Sequence, residues 1–167
     1  FLDDYIIRGE KSDAIPKLFV RNIQTNKEEE IKISEEVIGV PSFSFKQRDT
    51  NTTKIRVGWE SMATPKKIYE YDIVTKKRKL VKETEIPSGH DSNKYIVERI
   101  KAKSRDGRMI PISLLRLKNS KQDGKSKVLL YAYGAYKHSV SASFSASRFC
   151  LVDRGITFAI AHVRGGG

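Results

Sequence analysis

Tyr133, Tyr136, His138, His162, Arg164 and the run Gly165–Gly167 crowd the stretch from Lys127 onward, and these are residue types that acyl-transfer chemistry uses. Such chemistry needs a nucleophile, a base to activate it, an acid to orient the base, and hydrogen-bond donors aimed at the oxyanion that forms. A phenol hydroxyl held at a strand end or the N–H groups of a glycine loop can supply the donors, and an imidazole can supply the base. A serine nucleophile raised on a strand-to-helix elbow reads Gly-x-Ser-x-Gly, and that pentapeptide occurs nowhere in the 167 residues. Without it the bland readings gain weight. A histidine running straight into glycines can form an oxyanion loop, but Val163 and Arg164 intervene, so His162 reads as a strand-end packing residue and Arg164 as an ion-pair former. His138 reads as a surface residue, and His90 has no partner that spacing can name. By spacing alone Tyr133 is a packing aromatic and Tyr136 a loop aromatic capping a sheet. Cys150 falls on the apolar side of a short helix and reads as core. Asp3-Asp4 and Glu28–Glu30 offer carboxylates with no companions at metal-ligand spacing, so they read as solvated faces and no metal site is expected.

The elements that must position these groups follow from hydrophobic patterning. Val128–Tyr133 and Ile156–Val163 are nearly continuous apolar runs closed by glycine, the signature of strands buried on both faces of a parallel sheet. Between them Ser145–Asp153 predicts a short helix, with serines available as N-caps and Gly155 as its stop. Strand, helix, strand makes a βαβ unit whose ligand side lies at Tyr133–Tyr136 and Arg164–Gly167. Upstream, Tyr95–Lys103 and Met109–Leu117 flank Ser104–Arg108, whose Asp106-Gly107 step supplies the positive φ angles of a tight hairpin. Pro111 lacks a ladder donor and predicts an edge or bulge position. Residues 118–126 predict a surface loop. The first half predicts short strands over Tyr5–Arg8, Leu18–Ile23, Glu29–Ile33, Ile55–Trp59, Lys67–Ile73 and Arg78–Val81, with turns at Gln24–Asn26 and Val74–Lys76. That pattern suits a propeller blade or the edge of a sandwich alike. Glu85–Lys94 reads as a linker.

Tyr131-Ala132-Tyr133-Gly134-Ala135-Tyr136, Ser147-Arg148, Asp153-Arg154-Gly155 and His162-Val163-Arg164-Gly165-Gly166-Gly167 resemble the prolyl oligopeptidase family of serine peptidases, and within it the oligopeptidase B branch. Ser61–Pro65, Tyr69–Asp72, Lys82–Pro87, Arg105–Gly107 and Ile110–Ser113 extend the resemblance upstream in the same order. It implies a mixed fold: the C-terminal blades of a β-propeller over 1–88, then the first strands and helix of an α/β-hydrolase peptidase domain over 89–167. Tyr133 matches the family tyrosine whose hydroxyl helps form the oxyanion hole, and Tyr136 a position beside the substrate. Ala132 stands where the family usually has glycine, so its Cβ is expected to crowd that loop. In the family the serine, aspartate and histidine come later in the chain than the point matching Gly167. The resemblance therefore implies a central fragment, truncated before the nucleophile and inactive alone. Its parent would be a serine endopeptidase that cleaves short peptides after Arg or Lys without a cofactor. The implied partners are short peptide substrates and the missing C-terminal catalytic portion.

Charge sets a competing expectation. Lys and Arg total 32 against 20 Asp and Glu, a formal net charge of +12, and Lys76-Lys77-Arg78-Lys79 could line a phosphate backbone. The lysines are scattered and interleaved with acids, as in Lys27-Glu28-Glu29-Glu30, and the basic tetrapeptide falls at an expected turn. A nucleic-acid partner is not expected, and a non-catalytic β-rich module that binds peptide or protein ranks above it. A single cysteine allows no internal disulfide. No apolar run reaches the roughly 18 residues of a membrane span, so no membrane partner is expected and the cytoplasm is the expected location.

Overall fold

The computed structural model describes residues 2–33, 39–43, 49–121 and 123–165. Gly166 and Gly167, the end of the expected ligand-side loop, lie outside the described residues. The chain forms two compact units, one of residues 1–60 and 66–85 and one of residues 61–65 and 86–167.

The first unit is all β. Strands β1 (Tyr5–Ser12), β2 (Ile15–Asn22) and β3 (Glu28–Glu30) form an antiparallel sheet in that order, and β4 (Val40–Phe43), β5 (Lys54–Glu60), β6 (Lys67–Asp72) and β7 (Arg78–Glu83) form a second. Alternation along β5 sends Ile55, Val57 and Trp59 inward while Lys54 and Arg56 stay exposed. These three join Leu18, Val20, Ile31, Ile33, Tyr71 and Ile73 in one core. β1 and β2 run longer than expected because a two-residue loop joins them. Asp13 and Ala14 take φ of 51° and 60°, the conformation of a type I′ turn, without the glycine that usually advertises it. β4 escapes the hydrophobic pattern because Pro41 interrupts it, and it occupies a sheet edge, where proline is tolerated.

The two sheets share one turn. Asn22 Oδ1 accepts the Thr25 N–H at 2.8 Å and Asp72 Oδ1 accepts the Thr75 N–H at 2.8 Å. In each the first residue's N–H donates to the carbonyl of a lysine, Lys27 or Lys77, at 2.9 Å, and the residue before that lysine has positive φ, 55° at Asn26 and 59° at Lys76. The isoleucine N–H that follows each Asn or Asp donates back to an earlier segment, Ile23 to Asp4 and Ile73 to Thr53, both at 2.9 Å. Lys76 of the basic tetrapeptide is thus a turn residue, and it pairs with Glu29.

The second unit holds the sheet β10-β11-β9-β8, made from β8 (Tyr95–Lys103), β9 (Met109–Leu117), β10 (Val128–Ala132) and β11 (Thr157–Ala161). β8 and β9 form the expected hairpin, β11 runs antiparallel to β9, and β10 runs parallel to β11. β10 is an edge strand with all five residues exposed, which corrects the expectation of a strand buried on both faces of a parallel sheet. A 3-10 turn, Ala146–Arg148, leads into a single helical turn α1 (Phe149–Val152) that Gly155 ends at φ +80°. Ser145 precedes the 3-10 turn but caps no backbone N–H; its hydroxyl meets Ser147 Oγ at 3.0 Å. Phe149 and Val152 point into a core with Leu115, Ile160, Ala142, Met62 and Ala63. With 149 and 152 facing inward, Cys150 turns outward, so the thiol expected in the core is exposed. β9 is an interior strand, which corrects the edge position expected for Pro111. Pro111's carbonyl accepts the His162 N–H at 2.9 Å, so its missing donor points to the side where β11 has just ended. Among the described residues no helix is long and apolar enough to cross a membrane.

Candidate functional site

The parallel pair β10 and β11 ends in register, Ala132 beside Ala161, so Tyr133 and His162 are the next residue of each strand. Beyond them the two loops touch backbone to backbone. A Cβ on Gly134 would sit 2.4 Å from the Arg164 carbonyl oxygen, and one on Gly165 would sit 2.1 Å from the Gly134 carbonyl oxygen. Gly165 also takes φ +92°, so both space and conformation require glycine there. This is where the sequence expected a ligand side, and it brings Tyr133, His162 and Arg164 onto adjoining loops.

Tyr133 is 39 % exposed, and its ring meets that of His138 edge-on at 5.9 Å. The Ala135 carbonyl accepts the His138 N–H at 2.9 Å, closing a tight turn whose middle residues Tyr136 and Lys137 have φ of 53° and 57°. Two non-glycine residues in this region cost about 1 kcal/mol each. The turn leaves the Tyr136 side chain 95 % exposed, which contradicts its reading as an aromatic capping the sheet. Ala132 is itself exposed on the edge strand β10.

His162 is buried, as a packing residue should be, and both ring nitrogens are engaged: Nε2 lies 2.8 Å from Ser113 Oγ and Nδ1 3.1 Å from the Val140 carbonyl. Arg164 forms an ion pair with Asp106 of the β8–β9 turn. The Ser104 hydroxyl, then the Arg164 guanidinium, hold the Asp106 carboxyl down to about 2. Sequence reasoning missed Asp106 as the partner because the pair is separated by 58 positions. It also missed the part played by His90. That ring stacks on Tyr95 at 5.4 Å, meets Phe149 and Phe144 edge-on, and contacts the Ala63 carbonyl through Nε2 at 2.6 Å. Tyr95 in turn donates to Asp153 at 2.6 Å, and burial, followed by that bond, pushes its phenol up to about 12. The aromatic spacing of Tyr95, Phe144 and Phe149 carried no signal that would unite them.

The Glu28–Glu30 cluster is an ion-paired face. Glu28 accepts from Arg8 and Arg21, Glu30 lies 3.7 Å from Lys17, and Glu29 meets Lys76. Among the described residues no group of three or more His, Cys, Asp or Glu side chains is placed to hold a metal ion.

Residues 2–84 match the family described as prolyl oligopeptidase, N-terminal beta-propeller domain. Dipeptidyl aminopeptidase BI of Pseudoxanthomonas mexicana is 41 % identical over 119 residues, covering 71 % of this chain and 16 % of that protein. Protease 2 of Moraxella lacunata is 25 % identical over 166 residues, covering 99 % of this chain and 23 % of that protein. The solved structure of oligopeptidase B from Leishmania major superposes with a TM-score of 0.88 at 26 % identity, over 99 % of this chain and 24 % of that one. The chain thus spans between a sixth and a quarter of the length of these relatives. With a propeller-type first unit, and with these likenesses running through both units, the chain belongs to the prolyl oligopeptidase family of peptidases, close to oligopeptidase B.

Proposed function

We propose that the chain is the central part of a serine-type oligopeptidase, joining the last blades of a β-propeller to the opening strands and helix of an α/β-hydrolase domain. The observation that carries this reading is the parallel β10–β11 pair with Tyr133 one residue past its carboxyl end, where open α/β sheets bind their ligands. The shared turn of the two first-unit sheets supports the blade assignment, since repeated supersecondary units are what a propeller stacks. In this reading the Tyr133 hydroxyl donates to the oxyanion of the tetrahedral intermediate, and Tyr136, held outward by its turn, lies beside the peptide. The serine, aspartate and histidine are supplied outside the 167 residues, which alone hydrolyse nothing. Substrates are short peptides cut after Arg or Lys, without a cofactor, in the cytoplasm, where an exposed unpaired Cys150 needs no partner.

The chain alone, mixed with a dibasic fluorogenic peptide and an organophosphonate probe, is expected to release no fluorophore and take no label. The whole protein is expected to do both. Labelling of the chain alone would sink the claim that the nucleophile lies outside it. In the whole protein Tyr133→Phe is expected to lower kcat about 10²-fold with little change in KM, the loss typical of one oxyanion donor. Peptides with free and blocked amino termini separate internal cleavage from dipeptide release, and peptides with Arg, Lys or Pro before the cut test the basic preference.

A non-catalytic peptide-binding module is the second reading, favoured by β10, an edge strand whose five residues are all exposed. Saturable peptide binding by the chain, with no hydrolysis by the whole protein, would favour it.

A further inference from the structure

Ser113 is fully buried in the middle of β9, and its hydroxyl faces the His162 ring. The Val140 carbonyl can only accept, so His162 Nδ1 carries the ring proton; in the neutral ring Nε2 then accepts from the Ser113 hydroxyl. Hydroxyl, imidazole and acceptor stand in the order of a nucleophile with its base and orienter. Burial of both side chains bars that use, since no substrate carbonyl can reach the hydroxyl. The contact instead ties together β9, the segment through Val140, and the end of β11, whose His162 N–H is also anchored on the Pro111 carbonyl.

Tyr133 depends on that anchor through the backbone. It sits in register beside His162, and Gly134 after it packs on the Arg164 carbonyl, while Gly165 packs on the Gly134 carbonyl. The course of Tyr133-Gly134 is therefore dictated by residues 163–165, and their departure point by His162. The Tyr133 side chain does little to place itself, being partly exposed and touching the exposed ring of His138.

We infer that Ser113 and His162 are positioning residues for Tyr133: through the register of β10 with β11 and the Gly134–Gly165 contact, their hydrogen bond sets where the phenol hydroxyl stands. This rests on the reading of Tyr133 as an oxyanion donor. The test is a cycle in the whole protein of Ser113→Ala, Tyr133→Phe and the double variant, reading kcat and KM on a fluorogenic peptide. Ser113→Ala is expected to lower kcat about tenfold with KM unchanged, the cost of a donor displaced by a fraction of an ångström. In the Tyr133→Phe background it is expected to lower kcat no further. An equal tenfold loss in that background, or no loss in the wild type, overturns the inference while leaving the role of Tyr133 intact. Full activity of Tyr133→Phe overturns the oxyanion reading itself, and the inference with it. If Ser113→Ala does not fold, Ser113→Cys, which fills the site with a weaker donor, enters the same cycle and is judged by the same non-additivity.

Discussion

At the scale of single residues, the Asp106–Arg164 pair shows how a surface contact can tie the loop after β11 to the β8–β9 turn. Asp106 is held at about 2 in the folded chain, below the roughly 3.9 of an unfolded aspartate. The sign follows: a depressed carboxylate stabilises the fold above pH ~4, and that contribution is lost as pH falls toward 2. Thermal melts of the whole protein across pH 5 to 2 are expected to fall less steeply for Asp106→Asn than for the wild type. Identical slopes would remove the pair from the account. The sequence made Arg164 legible as an ion-pair former, because an arginine between a buried strand and glycines has few other uses. It could not name Asp106, Ser113 or Ala63 as partners, since each contact with Arg164, His162 or His90 joins residues far apart in the chain. Cys150 was misread for a local reason: a single helical turn has one inward pair, and Phe149 with Val152 takes it.

At the scale of elements, local turn chemistry decided most of the boundaries. The Asn22 and Asp72 turns share the side-chain bond to the threonine N–H and the backbone bond to the lysine carbonyl, yet only the second carries a titratable acceptor. Thr75 and its neighbours hold the Asp72 carboxyl below its ordinary value, so the β6–β7 turn weakens as acid protonates Asp72 while the β2–β3 turn does not. Asn22→Ala is expected to cost about 1 kcal/mol locally, the net worth of a side-chain hydrogen bond to the backbone. Hydrogen exchange of the Thr25 amide, about fivefold faster in that variant, checks it. The β8–β9 hairpin was legible from the Asp106-Gly107 dipeptide, although Gly107 alone of the two takes positive φ, 83°, and the Gly155 stop was legible from one residue. The Asp13-Ala14 turn was not, because its positive φ angles sit on residues that seldom adopt them.

At the scale of the whole molecule, α1 and the segment before it cover one face of the second unit's sheet, while the other presents Leu130, 62 % exposed, with Val128 and Ile100. Edge and face together invite association. The 167-residue chain is expected to self-associate, and Leu130→Lys, which breaks the apolar run on β10, is expected to shift its sedimentation toward the monomer. An unchanged profile would show that this surface is not what associates. By itself the sequence determined the strand-rich first half, the βαβ order of the last part, the absence of a Gly-x-Ser-x-Gly elbow, and the family, because period, turn residues and motif order are local properties of a chain. Only the tertiary structure decided that β11 lies between β10 and β9, that Ser61–Pro65 belongs with the second unit, and that His162 meets Ser113 beneath the Tyr133 loop. Each of those depends on which distant segments bury their apolar faces together, and periodicity along one segment carries no record of its partner.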